Sequence, residues 1–132
     1  MLYVTALSAA ILGALCVMLS LKVVAIRRSE KISVGDGGNE SLLRATRAQA
    51  NLLEYAPLAL IMLGCAEING VPRLLLGLVA IAFIAGRVLH PVGLRDASSP
   101  MSARVMGMQL TLVSMLSLCV INVLWLGWLL IA

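Results

Sequence analysis

Arg47, Asn51 and Glu54 stand four and then three positions apart. On a helix that spacing puts all three on one face, within reach of one another. Arg44 extends the same face by one turn, and Tyr55 flanks it. A guanidinium, an amide and a carboxylate in this register allow two readings. In one, Arg47 and Glu54 close an internal ion pair that pins helix packing. In the other, the set forms a polar pocket. The arginine is a bidentate donor for a carboxylate, the amide suits peptide groups, and the glutamate suits an ammonium. Such a pocket fits a zwitterionic, peptide-like ligand.

The rest of the chain decides where these residues sit. Of 132 residues, 61% are hydrophobic and only 12% charged. That is about 80 apolar side chains, where a soluble domain of this length carries roughly 60. A small domain has too much surface to hide the excess, which excludes a soluble globular domain, a disordered chain and a disulfide-stapled module. About 80 apolar residues at roughly 20 per span give four helices. The apolar runs are continuous rather than alternating, against a β-barrel. The fold expected is an all-α integral membrane protein, a four-transmembrane-helix bundle forming one domain over 1–132.

The spans read as about 2–26, 52–68, 74–90 and 105–131. The first has no basic residue ahead of it and exceeds a signal-peptide core, so it reads as a retained span. A glycine-rich polar stretch follows, and Asn39 or Ser41 is the expected cap of the second helix. That helix starts outside the hydrocarbon and runs into it. Pro57 removes a backbone donor within it. Pro91 stops or kinks the third helix, and Ser99-Pro100 reads as cap and first turn of the fourth. Gly77, Gly86, Gly107, Ser114 and Ser117 are small enough for close helix approach. Trp125 and Trp128 suit the far membrane interface.

Formal net charge is +4, and nine of the ten Lys and Arg residues fall on one side of these spans. By the positive-inside rule that side is cytoplasmic, with both termini on the other. Aromatics at 4% are too few for a base-stacking surface, so no nucleic-acid partner is expected. One histidine cannot build a multi-histidine metal site, and no metal is expected. The three cysteines lie inside apolar stretches and read as buried thiols. Within a span, Arg47, Asn51 and Glu54 cannot cheaply face lipid. An Arg or Glu there costs roughly 2.5–3.5 kcal/mol on insertion scales, so they should face the bundle interior or a wet cavity.

Arg47-Ala-Gln-Ala-Asn51-Leu-Leu-Glu54-Tyr55-Ala-Pro57-Leu58 resembles the second-helix signature of the MAPEG family, the membrane-associated proteins in eicosanoid and glutathione metabolism. Gly86-Arg87-Val88-Leu89-His90-Pro91-Val92 is similar to the third-helix segment of the family's prostaglandin E synthases. The resemblance covers essentially the whole chain. It implies a homotrimer with glutathione held between subunits as co-substrate. Arg47, Asn51, Glu54, Tyr55, Arg87 and His90 match glutathione-binding positions, and Arg104 is the nearest match to the arginine that activates the thiol. A cationic neighbour would favour the thiolate, which attacks a lipophilic electrophile arriving from the bilayer. One departure is Leu94, where many active members carry a tyrosine.

The leading expectation is therefore a glutathione-dependent transferase or peroxidase. A non-catalytic lipid- or glutathione-binding scaffold of the same family is the alternative. A small proton-coupled exporter using Glu54 is a third reading, disfavoured by Arg47 on the same face. Taken alone, His90 before a proline at a span end reads as a hydrogen-bonded interface residue, and Arg95-Asp96 as a solvated loop pair. With no retention signal, the expected location is a bacterial inner membrane.

Overall fold

The computed structural model describes residues 1–96 and 98–131. Ala97, between the third and fourth expected spans, lies outside the described residues. Four helices account for most of the chain: α1 (Tyr3–Glu30), α2 (Glu40–Ile68), α3 (Arg73–Val92) and α4 (Met101–Ile131). Each is long and apolar enough to cross a membrane. At about 1.5 Å per residue, α1, α2 and α4 run roughly 42–46 Å. That exceeds the ~30 Å hydrocarbon core, so these helices extend beyond it. On α1 and α4, leucines and valines such as Leu7, Val17, Leu112 and Val123 are exposed. Lipid is the solvent that such faces need.

Local chemistry explains the helix ends. Asn39 caps α2, its Oδ1 accepting from Leu42 N–H at 2.9 Å. Glu40 sits in the first turn, where the helix dipole favours an anion. α1 stops at Lys31, which is left-handed at φ 57°. The four-residue turn into α3 is closed by Gly70 at φ 86°, a conformation that strains any residue with a Cβ. Ser99 departs from the expected cap. Its hydroxyl accepts from Asp96 N–H and donates to Asp96 Oδ1, both at 3.0 Å. Nor do Arg95 and Asp96 form the expected loop pair, because the Asp96 carboxylate is held by Ser98 and Ser99. Helix α2 runs through Pro57, and α3 ends one residue past Pro91.

One apolar cluster joins α1, α2 and α3 through Leu12, Leu19, Leu52, Ala59 and Phe83. A second, toward the other end, gathers Leu63, Ala66, Leu76 and Leu118. α3 and α4 approach so closely that side chains are excluded between them. A Cβ on Gly86 would lie 2.8 Å from Gly107 O, and one on Gly107 2.7 Å from His90 N. Gly77, expected to play the same part, does not: a Cβ there meets nothing within 4 Å.

Glu67 is buried, and it bridges two helices. Its carboxylate accepts from Val4 N–H and Thr5 N–H at 2.9 Å and from Thr5 Oγ1 at 2.8 Å. The first-turn amides of α1 have no partner in their own helix, so a carboxylate from α2 supplies it.

Candidate functional site

The polar face of α2 borders a cavity of about 460 Å³ at the end of the bundle where α3 finishes and α4 begins. From α2 it is lined by Arg44, Arg47, Asn51 and Glu54, with Leu43 and Ala50 beside them. α3 contributes His90, the following loop Leu94, and α4 Arg104. Five of the seven candidate residues thus meet at one cavity: Arg47, Asn51, Glu54, His90 and Arg104. Tyr55 and Arg87 do not line it.

Arg47 and Glu54 form no ion pair with each other. Among the described residues the ion pair is Arg44–Glu40, at 2.5 Å. It is exposed and worth at most about 1 kcal/mol. Arg44 also donates to Asp96 O at 3.3 Å, tying α2 to the loop that carries Leu94. Arg47 and Glu54 are exposed on the cavity wall. Both line the cavity without closing the ion pair that would pin helix packing.

Arg87 lies behind that wall. It is 1% exposed and donates to Asn51 Oδ1 at 2.6 Å, Asn51 O at 3.2 Å and Thr111 Oγ1. Its guanidinium carbon is 5.3 Å from the Tyr55 ring centre and 5.9 Å from that of Phe83. Cation–π contact in a dry site helps hold a charge that has no carboxylate beside it. Tyr55 is half-buried and packs with the first apolar cluster. Arg87 therefore reaches the cavity through Asn51 rather than directly, and Tyr55 lies against Arg87. Thr111 was not singled out from sequence. Its spacing from Gly107, one turn away, carries no sign that Arg87 lies between them.

His90 is 4% exposed, and its Nδ1 has no partner among the described residues. It is a buried residue held against the Gly107 backbone, not the interface histidine that its place before a proline suggests. Arg104 is set on the opposite side by another close approach. A Cβ on Gly93 would lie 2.6 Å from Arg104 N, so the loop glycine lets α4 start directly against the end of α3.

At the outer edge, Asp96 is held by Ser98 N–H at 3.0 Å and by the hydroxyls of Ser98 (2.7 Å) and Ser99 (3.0 Å). The Ser98 hydroxyl first, then that of Ser99, keeps its carboxyl below the usual aspartate range. These bonds favour the charged form.

The fold and the cavity together define a four-helix membrane protein with a cationic polar chamber at one end of the bundle. The chain belongs to the MAPEG family, whose model matches residues 5–124. It is similar to the inner membrane protein YecN of Escherichia coli strain K12, with 30% identity over 125 residues covering 95% of this chain and 94% of the relative. The same figures hold for YecN of Escherichia coli O6:H1 strain CFT073.

Proposed function

We propose that the protein is a membrane-bound glutathione-dependent transferase or peroxidase that activates the glutathione thiol for attack on lipophilic electrophiles. The observation carrying this reading is the convergence of Arg44, Arg47, Asn51, Glu54, His90 and Arg104 on one cavity. Its volume of about 460 Å³ falls in the ordinary range of small-molecule sites. The donor set suits glutathione, which carries two carboxylates, one ammonium, two amides and a thiol. Arginines match carboxylates bidentately, Glu54 matches the ammonium, and the Asn51 amide matches a peptide group.

In the proposed chemistry Arg104 stabilises the thiolate by its charge. The sulfur forms a bond to an electrophilic carbon as the leaving group departs with its electron pair. With a hydroperoxide, the thiolate instead attacks the distal oxygen and the O–O bond breaks. The alkoxide leaves and takes a proton to become the alcohol, and the glutathione sulfenic acid formed condenses with a second glutathione to give the disulfide and water. Homotrimer assembly, with the cavity completed by a neighbouring subunit, belongs to the same proposal. So does a bacterial inner-membrane location, supported by the name of the Escherichia coli relative. The basic end of the bundle would then face the cytoplasm and both termini the other side.

A second reading has its own observation. Leu94, not a tyrosine, lines the cavity beside His90. The reading is a scaffold that binds glutathione or lipid without chemistry. Calorimetry in detergent with glutathione, followed by conjugation of a chromogenic aryl halide, tests both. Binding with turnover that falls in Arg104→Ala supports the enzyme. Binding without thiolate absorbance or turnover supports the scaffold. No binding at millimolar glutathione overturns the enzyme and the glutathione-binding scaffold alike, and leaves a lipid-binding scaffold.

A further inference from the structure

At the opposite end of the bundle, α1 and α3 leave a groove of about 290 Å³ between them. Gly77 and Ala80 form its floor, and Leu7, Ile11, Ile81 and Ile84 its walls. The floor is open, since a Cβ on Gly77 meets nothing within 4 Å. From Tyr3 to Ile11 the groove follows α1 for roughly 12 Å, and from Gly77 to Ile84 it follows α3 for roughly 10 Å. Half of the hydrocarbon core is about 15 Å. The groove therefore runs from one membrane surface most of the way to the midplane, the path of an acyl chain in a single leaflet.

Its mouth carries a charge. Tyr3 lines the groove, and the Arg73 guanidinium carbon lies 4.8 Å from the Tyr3 ring centre. Arg73 is exposed and has no carboxylate within ion-pair distance among the described residues. The nearby Glu67 is committed to the α1 amides. A cation above an apolar slot matches an amphiphile with an anionic head and a hydrocarbon tail. A second copy of the chain would fill the slot with an apolar helix face and leave Arg73 unmatched.

We propose that this groove is a binding site for an anionic phospholipid of the bilayer, with one acyl chain along Gly77 and Ala80 and the headgroup phosphate on Arg73. The site is separate from the glutathione cavity and does not rest on the function proposed for it.

The test is native mass spectrometry of the detergent-purified full chain, titrated with palmitoyl-oleoyl phosphatidylglycerol or with phosphatidylcholine of the same chains. Wild type should hold the phosphatidylglycerol about fivefold more tightly, the worth of one basic side chain at an anionic surface. Arg73→Gln should abolish the headgroup preference, and Arg73→Lys should keep it. Gly77→Leu should weaken both lipids, because its side chain enters the slot. Melting curves establish that each variant folds, and the exposed Arg73→Gln carries the test if Gly77→Leu does not. Equal affinities in wild type, or an unchanged preference in Arg73→Gln, would overturn the proposal. So would a Gly77→Leu variant that changes the oligomer while its lipid binding stays the same, for the groove would then be a contact between copies.

Discussion

Arg87 has donors and no acceptor, so the atom of Asn51 it meets at 2.6 Å must be the amide oxygen. That leaves the Asn51 NH2 as the group turned to the cavity, and makes Asn51 a donor toward any ligand. Asn51→Asp should keep the fold, since a carboxylate beside a buried arginine is well matched. It should nonetheless lose glutathione affinity by about tenfold, the worth of one hydrogen bond, with the melting point unchanged or raised. Calorimetry and a thermal melt on one preparation separate the two effects. Removing Arg87 should act in the other order. Arg87→Leu leaves Asn51 Oδ1 without its partner, at about 1–3 kcal/mol, and takes one of the two bonds from Thr111 Oγ1, which keeps Gly107 O. A melt in detergent should show that loss as a clear fall in midpoint. Arg87→Lys should recover only part of it, because a single ammonium cannot replace a planar fork serving both α2 and α4. Equal stability of Arg87→Leu and wild type would mean that the buried network does not hold these helices together.

Helices α3 and α4 position the cavity because nothing stands between them. Gly107→Ala puts a methyl 2.7 Å from His90 N and 2.8 Å from Gly86 O. The helices must then part, at about 1–3 kcal/mol for overpacking, and His90 and Arg104 must separate with them. Gly127→Ala on the same helix meets nothing within 4 Å. It should stabilise by about 0.5–1 kcal/mol through helix propensity. Melting both variants beside wild type checks the contrast. The loop after α3 makes a second prediction. Asp96 has its carboxyl lowered in the folded loop, so its contribution is present above the unfolded aspartate pKa and lost as pH falls through the lower folded value. Carbon-13 titration should give an Asp96 midpoint below that of a free aspartate, and Ser98→Ala should raise it. The four elements were legible in the sequence because a bilayer demands long unbroken apolar helices. The α2 stripe was legible because helical spacing is local. Neither rule reaches across the chain. The Glu67 bridge to Val4 and Thr5 spans more than sixty residues, and the depth of Arg87 depends on α2 and α4 together. The family resemblance marked Arg87 as a site residue but did not say that its partners were an asparagine and a threonine. Gly77 and Gly86 are alike in sequence, and only packing shows that one is pressed against α4 and the other lies open.

At the scale of the whole molecule, the exposure of Arg47 and Glu54 is the feature a single chain leaves unsatisfied. Glu54 follows Asn51 by one turn, at the start of the expected second span, on a face that also exposes Leu58 and Ile61. A bare carboxylate against lipid costs roughly 2.5–3.5 kcal/mol on insertion scales. A second protein surface, a ligand ammonium or water held in a chamber removes that cost. The proposed trimer supplies the first and third, and glutathione the second. Native mass spectrometry of the detergent-purified protein should therefore show a trimer. Glutathione should raise its share over monomer, since a ligand held between subunits stabilises the assembly by mass action. Glu54→Gln removes the charge but keeps the shape. It should leave the trimer in place or strengthen it, while weakening glutathione and abolishing its effect on assembly. A monomer that binds glutathione as tightly as any assembled form would break this link, because the cavity would then be complete within one chain.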